Sequence, residues 1–476
     1  MSSVSALNSL LSSSSTSAAS SIDLSQILQA ATGASSVGID VTAAVNSAVS
    51  AAQAPETAWE AQQTTLQNQA TALTKIQTDA SNLDNDMFAL NNITGPLSAR
   101  TVASSNPSVV SATAASGAAV GNHTVVVTSL ASTDTWASGV TADPVPTGSF
   151  VITTATGPTT IATGTGGSTT LSDVAKQINQ DNIGVSASVV TDATGSRLAI
   201  VANDSGSASN FTVTGPSGSA ASIPMSEVGT GGSNAVLSVD GIPIQSASNT
   251  VTGALPGVTL NLLNTSAGAN VSLSVAPDTT QASTAINQFV TDYNTAITDL
   301  NTQFTFSGSS EGVLATDSSV RSLQSTLEAA MSYTQAPGTG TTTTVPNLSS
   351  LGISVNNDGT LSVDSGTLTS MLQNNYSDVQ NFFQGTALNG FANTMDQQLT
   401  SFISPSDGAF TLDLQSINTE YNDLSTDITN FQTNYIVPLQ ARLQADYSAA
   451  ETALEQLPTE TQQINTELGL NNSTQG

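Results

Sequence analysis

The sequence predicts an α+β protein in which helical segments near both ends form a coiled-coil stalk and a β-rich middle forms a head of about two subdomains. Three observations lead to this prediction. Apolar residues recur with a 3-4 spacing from Trp59 onward, the period changes to two between about Ala99 and Asp278, and the helical spacing returns from Thr279. Each helical run could instead bury one face in its own globular core. Because three runs bracket one β region, pairing of the terminal helices with the middle looped out is favoured.

The composition sets limits on the class of protein. A chain of 476 residues suggests about three modules on ordinary domain sizes. Charged residues make up only 9% of the chain, so its surface is polar but weakly ionised. Asp and Glu number 35 against 6 Lys and Arg, which gives a formal net charge of -29 at pH 7. Because a phosphate backbone is bound by clustered Lys and Arg, this balance excludes nucleic acid as a partner.

Residues 1–38 form a Ser-rich tail that we expect to be disordered, with an apolar patch at Ile22, Leu24, Ile27 and Leu28 that can become helical on binding. This start lacks a positively charged region followed by a long apolar stretch, so a cleaved signal peptide is not indicated. No run is apolar enough to suggest membrane insertion. The chain has no cysteine, which excludes disulfides and thiol-ligated metals. Such a chain suits threading through a narrow export channel.

Residues 39–98 are expected to form the N-terminal stalk helix region, with a helix from about Pro55 to Asn92. Apolar and small residues at positions 59, 66, 73, 76, 80, 83, 87 and 90 fit a heptad seam, and Gln62 and Gln69 occupy the remaining core slots. Pro55 suits the first turn of a helix because its missing N–H has no intrahelical partner there.

The middle of the chain is predicted to be mostly β, because short runs with a period of two are separated by Gly, Pro, Asn and Ser. We expect residues 99–130 together with 232–278 to form an inner β domain of the head. Residues 131–231 are expected to form an outer β-rich domain. This outer domain contains one helix, from about Leu171 to Gln180, whose apolar residues share one face.

Residues 279–410 are predicted to be a helical stalk segment that includes a β-hairpin. Apolar residues from Ile286 to Phe304 are spaced 4-3-4-3-4, and a second helix follows near Ser318 to Met331. An Asn-Asp-Gly turn ending at Gly359 joins two short strands, because Asp-Gly tolerates the positive φ angles of tight hairpins.

Residues 411–476 are predicted to form a C-terminal coiled-coil helix and a tail. Apolar residues from Ile417 to Tyr435 again follow the 4-3-4-3-4 spacing. The apolar face then continues past Pro438 to about Glu467, so we expect a helix near the carboxyl end of the chain as well as near its amino end.

The sequence predicts no catalytic, cofactor or metal site. His123 is the only histidine and lies at the start of a strand, without the Gly-x-Ser-x-Gly elbow of a hydrolase. Asp84 and Asp86 alternate on a helix face that we expect to be exposed, which disfavours a paired-carboxylate glycosidase site. The stretch from Asn356 to Gly359 lacks the acidic ligand that a calcium loop requires at its twelfth position, so a hairpin turn is preferred.

Several segments are similar to one known family. The most specific block is Arg100-Thr-Val-Ala-Ser-Ser-Asn-Pro-Ser-Val-Val with Gly121-Asn-His-Thr-Val-Val-Val, and Val239-Asp-Gly-Ile-Pro-Ile and Phe289-Val-Thr-Asp-Tyr-Asn follow it. Together these segments resemble the flagellar filament cap protein family, flagellar hook-associated protein 2. Leu171-Ser-Asp-Val-Ala-Lys-Gln-Ile-Asn is less specific, since it is similar to a repeat shared by flagellins and their associated proteins.

The resemblance implies a secreted, non-enzymatic structural protein at the tip of the bacterial flagellum. It implies a ring-like homo-oligomer whose heads form a plate and whose stalks reach down to flagellin. The partners that it implies are flagellin, the hook-filament junction proteins and an export chaperone. The expected function is to promote polymerisation of exported flagellin and to prevent its loss into the medium.

Two other functions stay open at this point. The chain could be a flagellin-like or hook-associated filament subunit, or a surface adhesin that acts through the β head at residues 99–278. For the cap function, we expect the apolar seam of the stalk to mediate contact with other subunits or with flagellin. The residues of this expected seam are Leu66, Leu73, Leu83, Leu90, Ile286, Tyr293, Leu300, Ile417, Leu424 and Phe431.

Overall fold

The structure is a computed structural model that contains both helices and antiparallel sheets. The expected tail at residues 1–38 lies outside the described residues. None of the helices in the described part of the chain combines the length and apolar character needed to cross a membrane. The described residues are 40–164, 170–216, 220–305, 312–335, 344–385 and 389–467.

The chain divides into two compact units. We call the first the helical unit; it contains Met1–Ser81, Thr295–Leu327 and Gln398–Gly476. We call the second the mixed unit; it contains Asn82–Asn294 and Glu328–Gln397.

The described helices follow the expected spacing closely, and the predicted helices at about 55–92 and 318–331 are confirmed to within a residue or so. A separate short helix precedes the first of them. The helices are α1 Val41–Ala52, α2 Ala54–Asn91, α3 Leu171–Asp181, α4 Thr279–Phe304, α5 Ser318–Ala330, α6 Ser365–Asn374, α7 Tyr376–Gln384, α8 Phe391–Ile403, α9 Ala409–Phe431 and α10 Val437–Glu467, with a π-helical turn at Gln432–Ile436.

All described strands lie in the mixed unit and pair antiparallel. They are β1 Arg100–Ser104, β2 Val110–Ala114, β3 Gly121–Ser129, β4 Thr135–Ser138, β5 Gly148–Thr154, β6 Gly157–Thr163, β7 Val185–Asp192, β8 Gly195–Ala202, β9 Thr212–Thr214, β10 Met225–Glu227, β11 Ala235–Val239, β12 Ile242–Ser246, β13 Thr250–Leu255, β14 Val258–Leu262, β15 Val271–Pro277, β16 Ile353–Val355 and β17 Leu361–Val363.

A five-stranded sheet and a three-stranded sheet share one hydrophobic core. Their strand orders are β1-β15-β3-β11-β12 and β13-β14-β2. Alternate residues in the central parts of β3, β11, β14 and β15 are buried, as the period of two predicts, and the buried positions include Val125, Leu237, Leu260 and Leu273. Burial of these side chains away from water stabilises both sheets, each fully buried residue by about 1.5–3 kcal/mol.

A second core lies between a four-stranded sheet, a three-stranded sheet and α3. The strand orders are β10-β4-β8-β7 and β6-β5-β9, and the core includes Phe150, Ile178 and Leu198. The predicted helix in this region is confirmed. It begins with a capping box, in which the Thr170 hydroxyl accepts from the Asp173 N–H and the Asp173 carboxylate accepts from the Thr170 N–H.

The rest of the mixed unit is built around an aromatic cluster. The Phe391 ring lies 5.7 Å from Phe289, 5.7 Å from Tyr333, 5.5 Å from Phe382 and 6.0 Å from Phe383, measured between ring centroids. Such contacts contribute beyond the area they bury. The cluster joins α4 to the segment from α5 to α8.

This cluster explains a difference from the expected division of the chain. The segment 279–410, which the sequence suggests is one piece of stalk, is shared between the two units. Residues 279–294 and 328–397 belong to the mixed unit, because their large apolar side chains pack on each other there. Residues 295–327 and 398–410 belong to the helical unit.

The predicted hairpin of β16 and β17 is confirmed. Gly359 has a φ of +82°, and the Asp358 carboxylate accepts from the N–H and the hydroxyl of Thr360. The hairpin is attached to α4 because the Asn294 side chain accepts from the N–H of Leu361 at 2.6 Å and donates to its carbonyl at 2.9 Å.

Candidate functional site

The first part of α2 and helix α9 pack antiparallel in the helical unit. Their contacts follow a regular order along both helices. The Gln77 amide donates to the Thr411 hydroxyl at 3.3 Å, and Gln62 donates to the Glu420 carboxylate at 2.9 Å. The Trp59 ring contacts Phe431 edge-on, with 5.3 Å between centroids. Residues near the two ends of the chain therefore lie side by side in one bundle.

The glutamine positions only partly follow the heptad prediction. Gln69 is half-buried and donates to the Val313 carbonyl at 3.2 Å. Gln62 is exposed, so its expected place in a core slot is wrong. Its side chain reaches α9 across the surface of the helix pair.

Both helices of this pair are interrupted near a proline. Helix α1 ends at Ala52 and α2 begins at Ala54, one residue before Pro55. On the other side, the π-helical turn Gln432–Ile436 precedes Pro438. A proline inside a helix donates no hydrogen bond and its ring crowds the carbonyl four residues earlier, and a wider turn relieves both effects.

A buried carboxylate lies between these two interruptions. The Glu56 side chain is only 7% exposed, and it accepts hydrogen bonds from the amides of Gln53 and Gln432. Two amide donors compensate for the removal of the carboxylate from water. The sequence pattern does not single out Glu56, because a glutamate in a first helical turn is ordinarily a solvated residue near the helix dipole.

The π-helical turn changes which residue faces the bundle. The heptad spacing places Tyr435 in the seam after Phe431, but Tyr435 is 53% exposed and its ring stacks on Phe431. Ile436 is buried instead, with 3% exposure. The expectation for Tyr435 is wrong because a π-helical turn contains one extra residue, which advances the buried position by one. The signal in the sequence was Pro438.

The expected seam residues are divided between the two units. Six lie in the helical unit and four in the mixed unit. Because most of these side chains are buried within this chain, their contact with a second molecule remains a prediction. The buried residues of the helical unit are Leu66, Leu73, Leu300 and Leu424, and those of the mixed unit are Leu83, Leu90, Ile286 and Tyr293. Ile417 and Phe431 of the helical unit are half-buried.

Two carboxyl pairs connect helices of the mixed unit. Asp84 and Asp86 of α2 face Asp396 of α8 and Asp292 of α4 respectively. Asp84 and Asp86 are half-buried. The oxygens Asp84 Oδ1 and Asp86 Oδ2 are buried without a donor among the described residues. The expectation that Asp84 and Asp86 lie on an exposed face is therefore wrong, since neighbouring helices cover them.

Burial and like charge favour the protonated forms of Asp84 and Asp86. Burial, and secondarily the charge of Asp396, raises the pKa of Asp84 to about 6. Burial, together with the hydrogen bond and the charge of Asp292, raises the pKa of Asp86 to about 7. A carboxyl pair of this kind is held together by a shared proton and is weakened by its loss.

His123 has a structural partner. Its Nδ1 lies 2.8 Å from Asp240 Oδ2, and the other oxygen of Asp240 accepts from the Thr124 N–H at 2.8 Å. Asp240 occupies the turn between β11 and β12, with a φ of +50°. The pair therefore fastens this turn to β3. Among the described residues, no group of three or more His, Asp or Glu side chains could hold a metal ion.

Comparison with known proteins gives a consistent result. The model of the flagellar hook-associated protein 2 N-terminus matches residues 37–134, and the model of the flagellar hook-associated protein 2 C-terminus matches residues 232–459. The B-type flagellar hook-associated protein 2 of Pseudomonas aeruginosa is 28% identical over 319 residues, which cover 60% of this chain and 66% of the relative. The flagellar hook-associated protein 2 of Escherichia coli strain K12 is 28% identical over 337 residues, covering 64% and 70%.

This chain is similar to a solved structure over nearly the whole length of that structure. The D1-D2-D3 domains of the flagellar cap protein FliD from Escherichia coli superpose with a TM-score of 0.59 and 28% sequence identity. The match covers 73% of this chain and 99% of that chain. The match to the Pseudomonas aeruginosa relative covers just under two thirds of the length of that protein.

Proposed function

The chain belongs to the flagellar hook-associated protein 2 family, and on that premise we propose that it is the structural cap at the distal end of the bacterial flagellar filament. The observation that carries this proposal is the pair of family matches, which cover residues 37–134 and 232–459 and so include both helical ends and the inner sheets. The similarity to the D1-D2-D3 domains of a flagellar cap protein supports it. A filament-subunit function is not favoured, because both matching models describe hook-associated protein 2.

The proposed cap has a stalk and a head. The stalk would be formed by residues 39–98, 279–410 and 411–476. The antiparallel contacts between α2 and α9 support the part of it that lies in the helical unit. The head would consist of an inner domain at residues 99–130 and 232–278 and an outer domain at residues 131–231. Two separate hydrophobic cores in this region support that division.

The proposed partners are flagellin, the hook-filament junction proteins, an export chaperone and further copies of this chain in a ring. The cap would leave the cell through the flagellar export channel and remain at the filament tip. It would hold each arriving flagellin until that subunit folds into the lattice. Many weak polar contacts suit such reversible binding better than one tight interface, and the Gln, Asn, Ser and Thr side chains of the surface can supply them.

The half-buried members of the expected seam are the ones placed to reach a second molecule. Ile417 and Phe431 lie in α9 and keep part of their side chains accessible. We propose that they contribute apolar contacts to a neighbouring subunit or to flagellin. The buried members act indirectly by packing the interiors of the helical unit and of the mixed unit.

Deletion of the gene tests the proposal. We expect the deletion strain to secrete flagellin into the medium and to lack filaments, and we expect the full-length gene to restore both. Electron microscopy of flagella and an immunoblot of the culture supernatant provide the two measurements. Normal filaments in the deletion strain would exclude a capping function, and long tubes formed by the purified protein would instead indicate a filament subunit.

A further inference from the structure

An open cavity of about 170 Å³ lies in the helical unit, where the turn at residues 312–317 meets α2 and α9. Leu314 and Ile417 provide apolar walls, and Asp317 and Asp413 provide carboxylates. A cavity of about 150 Å³ accommodates a benzene-sized group. The space therefore fits the end of one long side chain.

The turn that closes the cavity is fixed from three sides. A side chain at Gly312 would meet the backbone of Gln303 at 2.3 to 2.7 Å, so only glycine allows this approach. The amide of Gln69 donates to the Val313 carbonyl at 3.2 Å, and the Leu314 side chain is buried. The Asp317 carboxylate caps α5 by accepting from Ser319 and Val320 N–H groups at 2.8 and 3.0 Å.

The cavity carries negative charge that this chain does not neutralise. Asp413 Oδ2 is buried and has no donor among the described residues. Neither Asp413 nor Asp317 forms an ion pair with any described residue. A buried carboxylate oxygen without a donor is costly and gains most from a cation that can also donate a hydrogen bond.

Five of the six cations have partners within this chain, and the sixth, Arg442, does not line the cavity. All six Lys and Arg residues lie in the described part of the chain. Lys75 pairs with Asp79 and Asp299, and Arg321 donates to the Ala315 carbonyl while its guanidinium lies over the Phe304 ring. The ion that complements the cavity must therefore come from another molecule.

A second copy of this chain is a poor source of that cation. Arg442 is exposed and forms no ion pair with the described residues, so it is the cation that a second copy could supply without breaking an ion pair of its own. It lies 29 residues beyond Asp413 (442 minus 413), or roughly 43 Å along the helices at 1.5 Å per residue. Copies related by rotation about an axis along these helices would hold Arg442 at a different height from the cavity.

We propose that this cavity binds a Lys or Arg side chain of flagellin, the subunit whose polymerisation the cap promotes. This inference rests on the proposed function. The apolar walls take the methylene stem of the side chain, and the carboxylates of Asp413 and Asp317 take its charged end. The cavity thereby provides one charge-specific anchor among many weaker polar contacts.

The test compares two double variants of the full-length chain. Asp317→Asn with Asp413→Asn removes the charge of the cavity, and Asn still caps α5. Asp423→Asn with Asp427→Asn removes the same charge from exposed positions of α9 and serves as the matched control. Fluorescently labelled flagellin, purified from filaments of the source bacterium, is titrated with each variant at low and moderate NaCl. Thermal unfolding by circular dichroism verifies that both variants fold.

We expect the cavity variant to bind flagellin about tenfold more weakly and with a flatter salt dependence, and the control to stay within about twofold of the wild type. Equal affinities for the two variants would overturn the proposal. A loss of self-association in both the cavity variant and Arg442→Gln, with unchanged flagellin binding, would also overturn it and assign the cavity to a second copy. If the wild-type chain does not bind flagellin at all, the proposed function itself is contradicted.

Discussion

Two carboxyl pairs bring like charges together in the mixed unit, Asp84 with Asp396 and Asp86 with Asp292. Because the pKa of Asp86 is raised in the folded protein, folding is favoured while this group holds its proton. The stabilisation is lost as the pH rises through about 7. The same argument applies to Asp84 near pH 6. Stability should therefore decrease from mildly acidic to mildly alkaline solution.

The variant Asp86→Asn tests this dependence. We expect it to raise the free energy of unfolding by about 1–2 kcal/mol at pH 8, after allowance for screening by solvent, and to change it little at pH 5. Urea unfolding followed by circular dichroism at both pH values gives the measurement. Asp181→Asn, at an exposed position of α3, is the control and should have the same small effect at both pH values. A gain that is as large at pH 5 as at pH 8 would contradict the shared-proton account.

The aromatic cluster gives a second residue-scale prediction. Phe391 is buried and contacts four other aromatic rings, so Phe391→Ala should lower the free energy of unfolding by about 3–5 kcal/mol. Phe88 is 62% exposed and lies on α2 in the same unit. Phe88→Ala should change stability by less than about 0.5 kcal/mol. Similar losses for the two variants in a chemical unfolding experiment would argue against the cluster as a core.

Helices were the elements that the sequence predicted best. The spacing of apolar residues located α3 and α5 within about a residue, because each helix has one apolar face and clear end signals. The π-helical turn does not follow from the heptad pattern, because Pro438 signals an irregularity but does not show which residue of the preceding turn is the extra one. The carboxyl pairs and the aromatic cluster were missed for a different reason: their members are far apart in the sequence and no local pattern joins them.

The π-helical turn makes a specific prediction about deletions. Deleting Thr433, an exposed residue of the turn, should convert it to ordinary α-helix and keep all flanking residues on their present faces. Deleting Thr426, an exposed residue in the middle of α9, should rotate one part of the helix by about 100° relative to the other. We expect the first deletion to cost at most about 1 kcal/mol and the second several kcal/mol.

Thermal unfolding of the two deletion variants provides the comparison. Both remove one threonine, so composition and charge are matched. If deletion of Thr433 is as damaging as deletion of Thr426, the turn does not contain a removable extra residue.

The whole molecule carries a net charge of -29, and copies of it must approach one another if the cap is a ring. Repulsion between like-charged copies is screened over about 10 Å at 0.1 M salt and over about 3 Å at 1 M. We therefore expect the oligomer population to increase when NaCl is raised from low to moderate concentration. Sedimentation velocity measures this shift. Sucrose at matched osmolality should leave the distribution unchanged, and an oligomer that dissociates with added salt would indicate that attractive ion pairs hold it together instead.

The contact between Glu56 and Gln432 joins residues 376 positions apart in the sequence, and this separation affects the order in which the parts of the chain fold. For a chain that emerges from an export channel with its amino terminus first, α1 and the start of α2 are outside long before α9 and α10 arrive. The sheets between Arg100 and Pro277 require no later segment for their strand pairing. The helical unit must therefore fold last, when export of the chain is nearly complete. Formation of the α2–α9 pair would then mark the end of export.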